Sequence, residues 1–145
     1  RLTEGPMARL AAERGADLWL DGGHNPHAGR ALAEAAGRLT ARDPRPLVLI
    51  AAMFARKDAL GFFQPFGALK PQVLATTFDS PNAAPAKDLA RAAREAGLTV
   101  DVVADVEEGV RRALAQPGPA PHILVCGGLH FAGEVLAMSP ETWPT

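Results

Sequence analysis

The chain is predicted to be an α/β protein, a single domain built on a doubly wound, mainly parallel sheet of about five or six strands. Two observations predict this. Short, nearly continuous apolar runs bounded by Gly, Pro and Asp alternate with segments of helical periodicity, which is how strands covered on both faces read when helices connect them. In addition, 145 residues, 48% of them hydrophobic, suffice to close one core.

The first 15 residues carry no clear strand pattern and read as a linker or N-terminal extension, with the domain proper over 16–145. The strands are expected at 18–20, 47–51, 73–76, 99–103 and 123–126. The first ends at Asp21, after which Gly22 and Gly23 let the backbone turn sharply. Asn25 is placed to cap a helix that Pro26 opens at its first position, where a missing N–H costs nothing. That helix runs through 28–39, with Arg30, Glu34 and Arg38 opposite its apolar stripe. A second helix is expected over 58–69 and a third over 85–96, ended by Gly97 as a left-handed cap. The fourth, 105–115, has Asp105 as its N-cap and Glu107 and Glu108 in its first turn. A last helix starts near His130. The PGPAP run at 117–121 is a surface connection.

Composition narrows function. Fifteen basic and 16 acidic residues leave a net charge of −1, so there is no overall electrostatic footprint for nucleic acid or an anionic membrane. Cys126 is the single cysteine, which excludes an intrachain disulfide and suits a reducing compartment; within an apolar strand it reads as an inert core residue. No apolar run approaches a membrane span and no signal-peptide pattern opens the chain, so the cytoplasm is expected. His24 and His27 stand at i, i+3, yet no further ligand accompanies them and no metal site is expected; His27 reads as a surface residue and His122 as the start of the last strand.

In a parallel sheet, the strand ends gather residues 21–25, 53–58, 77–82, 104–105 and 127–130 on one edge. Helix N-termini there suit carboxylate or phosphate, so a small polar ligand is expected. A dinucleotide-binding oxidoreductase would need G-x-G-x-x-G after the first strand, and Gly22, Gly23 and Gly29 do not have that spacing. A receiver-like signalling module would need a lysine beyond the last strand, where Gly127 and Gly128 stand.

Four ordered blocks carry a resemblance: LDGGHNPHA, AAMFARKD, DSPNAAPAKDL and LVCGGLHFAGEVL. They resemble the D-x-A-H-N-P-H-A, G-M-x-x-D-K-D, S-P-R-A and V-x-G-S-x-x-x-x-G-E-V blocks of the carboxy-terminal domain of folylpolyglutamate synthase/dihydrofolate synthase, in the Mur ligase superfamily, over about residues 17–137. The resemblance implies a Rossmann-like domain of a ligase that joins L-glutamate to folate or dihydropteroate through an acyl phosphate. It implies ATP and Mg2+ as cofactors, with the metal held mainly by an amino-terminal P-loop ATPase domain of the same parent chain. No G-x-x-x-x-G-K-[ST] loop occurs in this chain, so alone it is expected to be inactive.

By the same resemblance, Asp21, His24 and Asn25 bind nucleotide, Asp21 at the ribose and His24 as the catalytic, substrate-orienting residue. Lys57, Asp58, Ser80, Gly127 and Gly128 form the glutamate pocket. The parent is expected to be a monomer. Three positions depart from the family pattern: Gly128 replaces its usual serine, Asn82 its arginine and Gly23 its alanine. A stand-alone nucleotide or amino-acid binding module related to Mur ligases is the alternative reading.

Overall fold

The computed structural model describes residues 1–23, 25–128, 131 and 135. Its elements, in order, are α1 (Pro6–Glu13), β1 (Asp17–Leu20), α2 (Pro26–Arg42), β2 (Leu47–Ala51), α3 (Ala59–Phe63), a 3-10 helix (Gln64–Leu69), β3 (Gln72–Ala75), α4 (Ala86–Glu95), β4 (Thr99–Val102), α5 (Val106–Ala115) and β5 (His122–Cys126). The five strands form one sheet in the order β1-β5-β2-β3-β4, and every pairing between them is parallel. β5 therefore lies between β1 and β2, and the carboxyl ends of all five strands share one edge.

Each parallel connection crosses over through a helix, and the helices cover both faces. One face buries Leu49, Ala51, Leu124 and Cys126 of the sheet against Ala33 and Ala36 of α2, Phe62 and Phe63 of α3, and Leu89 and Ala93 of α4. The other buries Leu18, Ile50, Leu74, Ile123 and Val125 against Met7 and Ala11 of α1 and Val110 and Ala113 of α5. β2 and β5 are buried along their whole length, which is why they read as unbroken apolar runs.

Besides shifts of one or a few residues at element ends, two local results differ from the sequence reading. Residues 6–13 form α1, whose Met7, Ala8 and Ala11 are buried; the helix starts at Pro6 and carries no acidic first turn, basic last turn or side-chain cap to announce it. The expected single helix over 58–69 is a short α3 followed by the 3-10 helix, because Pro65 cannot donate an intrahelical bond and crowds the preceding turn. The third strand stops at Ala75 rather than 76, though the Thr76 N–H still donates to the Ala51 carbonyl at 2.9 Å. Of the last expected helix, Phe131 and Val135 are described, both helical and buried; the rest lies outside the described residues.

At the amino end of the sheet, the direct cross-strand pair Asp17 and His122 is closed by polar contacts. His122 Nδ1 lies 2.7 Å from Asp17 Oδ1, and its Nε2 lies 2.9 Å from the Asp43 carbonyl. Arg45 donates to Asp17 at 2.8 Å, to Asp43 at 3.0 Å and to the Gly15 carbonyl at 2.8 Å, and the Trp19 indole N–H donates to Asp17 Oδ2 at 2.7 Å. Burial alone would raise the Asp17 carboxyl, but the hydrogen bonds from Trp19 and His122 and the charges of His122 and Arg45 outweigh it and hold it below its ordinary value. His122 thus begins the last strand, as expected, and also clamps it to β1.

Candidate functional site

The opposite, carboxyl edge of the sheet collects the loops. Asp21 follows β1 and donates its N–H to the Val125 carbonyl at 2.9 Å, so it stands beside the end of β5 and next to Gly127. Its Oδ1 accepts the Gly23 N–H at 2.7 Å, an Asx turn that fixes the carboxylate. No described residue hydrogen-bonds Oδ2. Burial first, then the Asp21 charge, pushes the Cys126 thiol far up, leaving it a buried, un-ionised core residue.

Asn25 Oδ1 accepts the Ala28 N–H at 2.8 Å and caps α2, with Pro26 in the first turn as the sequence indicated. The start of α2 therefore opens on the same edge as Asp21. α2 can sit low because Gly29 packs on α3: a Cβ there would lie 2.4 Å from the Phe62 carbonyl oxygen. His24 lies outside the described residues. His27 is exposed on the first turn of α2.

The loops after β2 and β3 zip together. Ala55 N–H donates to the Asn82 carbonyl and Ala84 N–H to the Met53 carbonyl, each at 2.9 Å, around an antiparallel bridge between Phe54 and Ala83. This pairing puts Lys57 and Asp58 of one loop and Ser80 of the other at the same edge. Asp58 Oδ1 accepts the Gly61 N–H at 2.9 Å and caps α3. Ser80 Oγ accepts the Asn82 N–H at 3.2 Å, which keeps the loop turned. Lys57 is half-buried and forms no ion pair with a described residue.

Gly127 ends β5 at a φ of 125°. A Cβ there would lie 1.9 Å from the Ala52 carbonyl oxygen, so only glycine lets β5 leave the sheet so close to β2. Gly128 follows with φ 147°, and both are buried. Gly23 is also tightly placed: a Cβ there would lie 2.7 Å from Ala28 Cβ and 2.8 Å from Asp21 Oδ1. The alanine that the family pattern carries at this position does not fit the turn as it stands here.

Two further features of the edge had no signal in the sequence. Phe54 and Phe78 meet edge to face at 5.2 Å between centroids, and Phe78 lies 6.1 Å from Phe131, so aromatic contacts join the loops after β2 and β3 to the helix after β5. Thr76, just beyond β3, is fully buried, and its hydroxyl has no hydrogen-bond partner. Apolar strand patterning marks Thr76 only as a strand end, and nothing local marks the Phe pairing.

Among the described residues, no group of three His, Cys, Asp or Glu side chains could hold a metal ion, and no helix is long and apolar enough to cross a membrane. The geometry is that of an open α/β sheet with polar side chains, helix starts and close-approach glycines at its carboxyl edge, features that suit a small, polar, anionic ligand.

The model of the family described as Mur ligase, glutamate ligase domain, matches residues 7–129, and the chain belongs to that family. Among solved structures, a folylpolyglutamate synthase of Mycobacterium tuberculosis complexed with ADP is 25% identical, with a TM-score of 0.70, over 84% of this chain and 29% of its own. The bifunctional folylpolyglutamate synthase/dihydrofolate synthase of Yersinia pestis CO92 is 26% identical, with a TM-score of 0.68, over 85% and 28%. A bifunctional enzyme of the same description with Mn, AMPPNP and L-glutamate bound is 27% identical, with a TM-score of 0.67, over 85% and 29%. This chain thus spans under a third of the length of those it resembles. No curated protein sequence matches it.

Proposed function

We propose that the chain is the carboxy-terminal domain of an ATP-dependent, amide-forming ligase that adds L-glutamate to folate or dihydropteroate. The observation that carries the reading is the convergence of Asp21, Lys57, Asp58, Ser80 and Gly127 on one sheet edge, in a chain of the glutamate ligase domain family.

In this reading Asp21 holds the ATP ribose. Its Oδ1 is fixed by Gly23 and its Oδ2 faces no described donor, so a sugar hydroxyl can donate to it without displacing the turn. Asn25 spends its side chain on capping α2, so its contribution to nucleotide is the helix start it fixes. His24, from its place in the H-N-P segment, orients nucleotide and glutamate against one another. Lys57 offers a cation to the glutamate carboxylate, while Asp58 and Ser80 keep the two loops in place and the Gly127–Gly128 backbone lets the amino acid lie against the strand end.

The γ-phosphoryl group of ATP passes to the acceptor's carboxylate with release of ADP, and the glutamate amine then attacks the acyl carbon of the acyl phosphate and expels inorganic phosphate. Little covalent chemistry falls to this domain, and positioning two substrates is sufficient work for it. In this reading the Mg2+ ligands and the phosphate-binding loop belong to an amino-terminal P-loop domain of the same parent chain. In this reading the parent works as a monomer in the cytoplasm.

The test is steady-state kinetics on the parent protein with dihydropteroate and with a reduced folate as acceptors. Glutamate-dependent ADP release with either supports the reading. ADP release dependent on a different amino acid, or on neither acceptor, overturns it.

A further inference from the structure

A second concavity lies at the other end of the sheet, away from every residue assigned above. It is a cavity of about 610 Å3 between the carboxyl half of α2 and the start of β1 and β5, walled by Trp19, Leu32, Leu39 and Leu124. The helix covers this face of the sheet incompletely, so Trp19 and Leu32 are only partly buried while Leu124 beneath them is buried.

The polar atoms at its floor are already committed. The Trp19 N–H donates to Asp17, and both ring nitrogens of His122 lie within hydrogen-bond distance of Asp17 and the Asp43 carbonyl. The floor therefore offers an occupant apolar surface and a fixed indole, over one side of which the Arg1 guanidinium lies at 6.0 Å from the ring centroid. The remaining polar lining is Arg38 and Arg42, one turn apart on α2, both exposed and neither paired with a described residue. Among the described residues, no acidic side chain lines the cavity.

We propose that this cavity binds a small apolar anion, a ring-containing carboxylate or sulfonate whose body stacks by Trp19 and whose charge meets Arg38 and Arg42. The volume is that of a small-molecule site, and an apolar lining with a few convergent polar groups is how such sites are built. Charge argues against a second copy of this chain. A twofold contact through this groove would bring Arg38 and Arg42 of each copy toward those of the other, with no carboxylate in the lining to offset them.

The probe is 8-anilinonaphthalene-1-sulfonate, titrated into the folded 145-residue chain carrying Trp143→Phe, so that energy transfer from Trp19 reports where it binds. The expected result is saturable one-to-one binding with quenching of Trp19. Arg38→Glu with Arg42→Glu weakens it about tenfold or more, the loss expected when charge-assisted contacts are reversed. Ala35→Trp, an exposed position that fills the cavity from the helix side, abolishes it. N-phenyl-1-naphthylamine, the same apolar body without the sulfonate, binds at least about tenfold more weakly than the anion. Circular dichroism confirms that each variant is folded. Absence of saturable binding, binding unchanged in both variants, equal affinity for the neutral probe, or self-association that covers Trp19 overturns the proposal.

Discussion

The two oxygens of Asp21 are in different circumstances, and that difference makes its role testable. Oδ1 is held by the Gly23 N–H, so Asp21→Asn keeps the turn acceptor while neutralising the oxygen assigned to the ribose. Hydrogen bonds to a charged group are worth about 1.5–3 kcal/mol each. The parent enzyme carrying Asp21→Asn should therefore lose about tenfold to a hundredfold in apparent ATP affinity, with glutamate affinity at saturating ATP changing much less. Separate ATP and glutamate titrations check it, and an unchanged ATP dependence in a folded variant removes Asp21 from the ribose. Asp17, four residues earlier on the same face, is the contrasting case: both its oxygens are occupied, by Arg45, His122 and Trp19. Its folded value lies below its unfolded value of about 3.9. Its contribution to stability is thus complete above that value and is lost as pH falls through the lowered folded value. Asp17→Asn keeps one neutral acceptor for Arg45 and His122 but removes the charge they share, and it turns an NH2 toward the Trp19 N–H that Oδ2 accepts. A broken buried pair costs about 3–5 kcal/mol, here reduced because Arg45 keeps Asp43 and some solvent. Urea unfolding should show the wild type losing its advantage over the variant as pH falls below about 4; a gap independent of pH would contradict the charge argument.

Among the elements, the tightest constraint is the exit of β5. Gly127→Ala places a methyl group 1.9 Å from the Ala52 carbonyl oxygen and forces an L-residue to φ 125°. Overpacking costs about 1–3 kcal/mol and the strained backbone about 1–3 more, so a loss of about 2–6 kcal/mol is expected by denaturant melts, where an effect under about 1 kcal/mol would show that β5 can shift away from β2. The start of α2 was legible in the sequence because its determinants are local: Asn25 caps and Pro26 opens, as the residue types required. The same holds for Asp105, whose carboxylate accepts the Glu108 N–H. α1 was not legible, because Met7, Ala8 and Ala11 make a helix by packing on β1 and α5 rather than by any cap or charge pattern. The break at Pro65 follows from a local rule, since proline interrupts the helical bonding that starts at Asp58.

For the molecule as a whole, alternation of strand and helix was enough to place Asp21, Lys57 and Gly127 on one edge, since any parallel sheet gathers its strand ends. The order β1-β5-β2-β3-β4 was not legible, because it depends on which apolar strands pair, and β2 and β5 are equally apolar on both faces. Nor was the cross-loop pairing of Ala55 with Asn82, a contact between backbones. The division of labour in the proposed ligase gives the last expectation. This chain has a closed two-sided core, so the purified 145 residues should unfold cooperatively in denaturant. It has no loop to cradle the β- and γ-phosphates and no described cluster to hold a metal, so it should release no ADP on addition of acceptor and glutamate. The ribose contact proposed at Asp21 needs no residue from the rest of the parent, so weak ATP binding should remain and should fall in Asp21→Asn. Calorimetric titration with ATP and a coupled ADP assay separate the two expectations. Glutamate-dependent ADP release by the chain alone would show that the phosphate chemistry is not confined to a second domain, and cooperative unfolding without any ATP binding would show that the carboxyl edge needs that domain to become a nucleotide site.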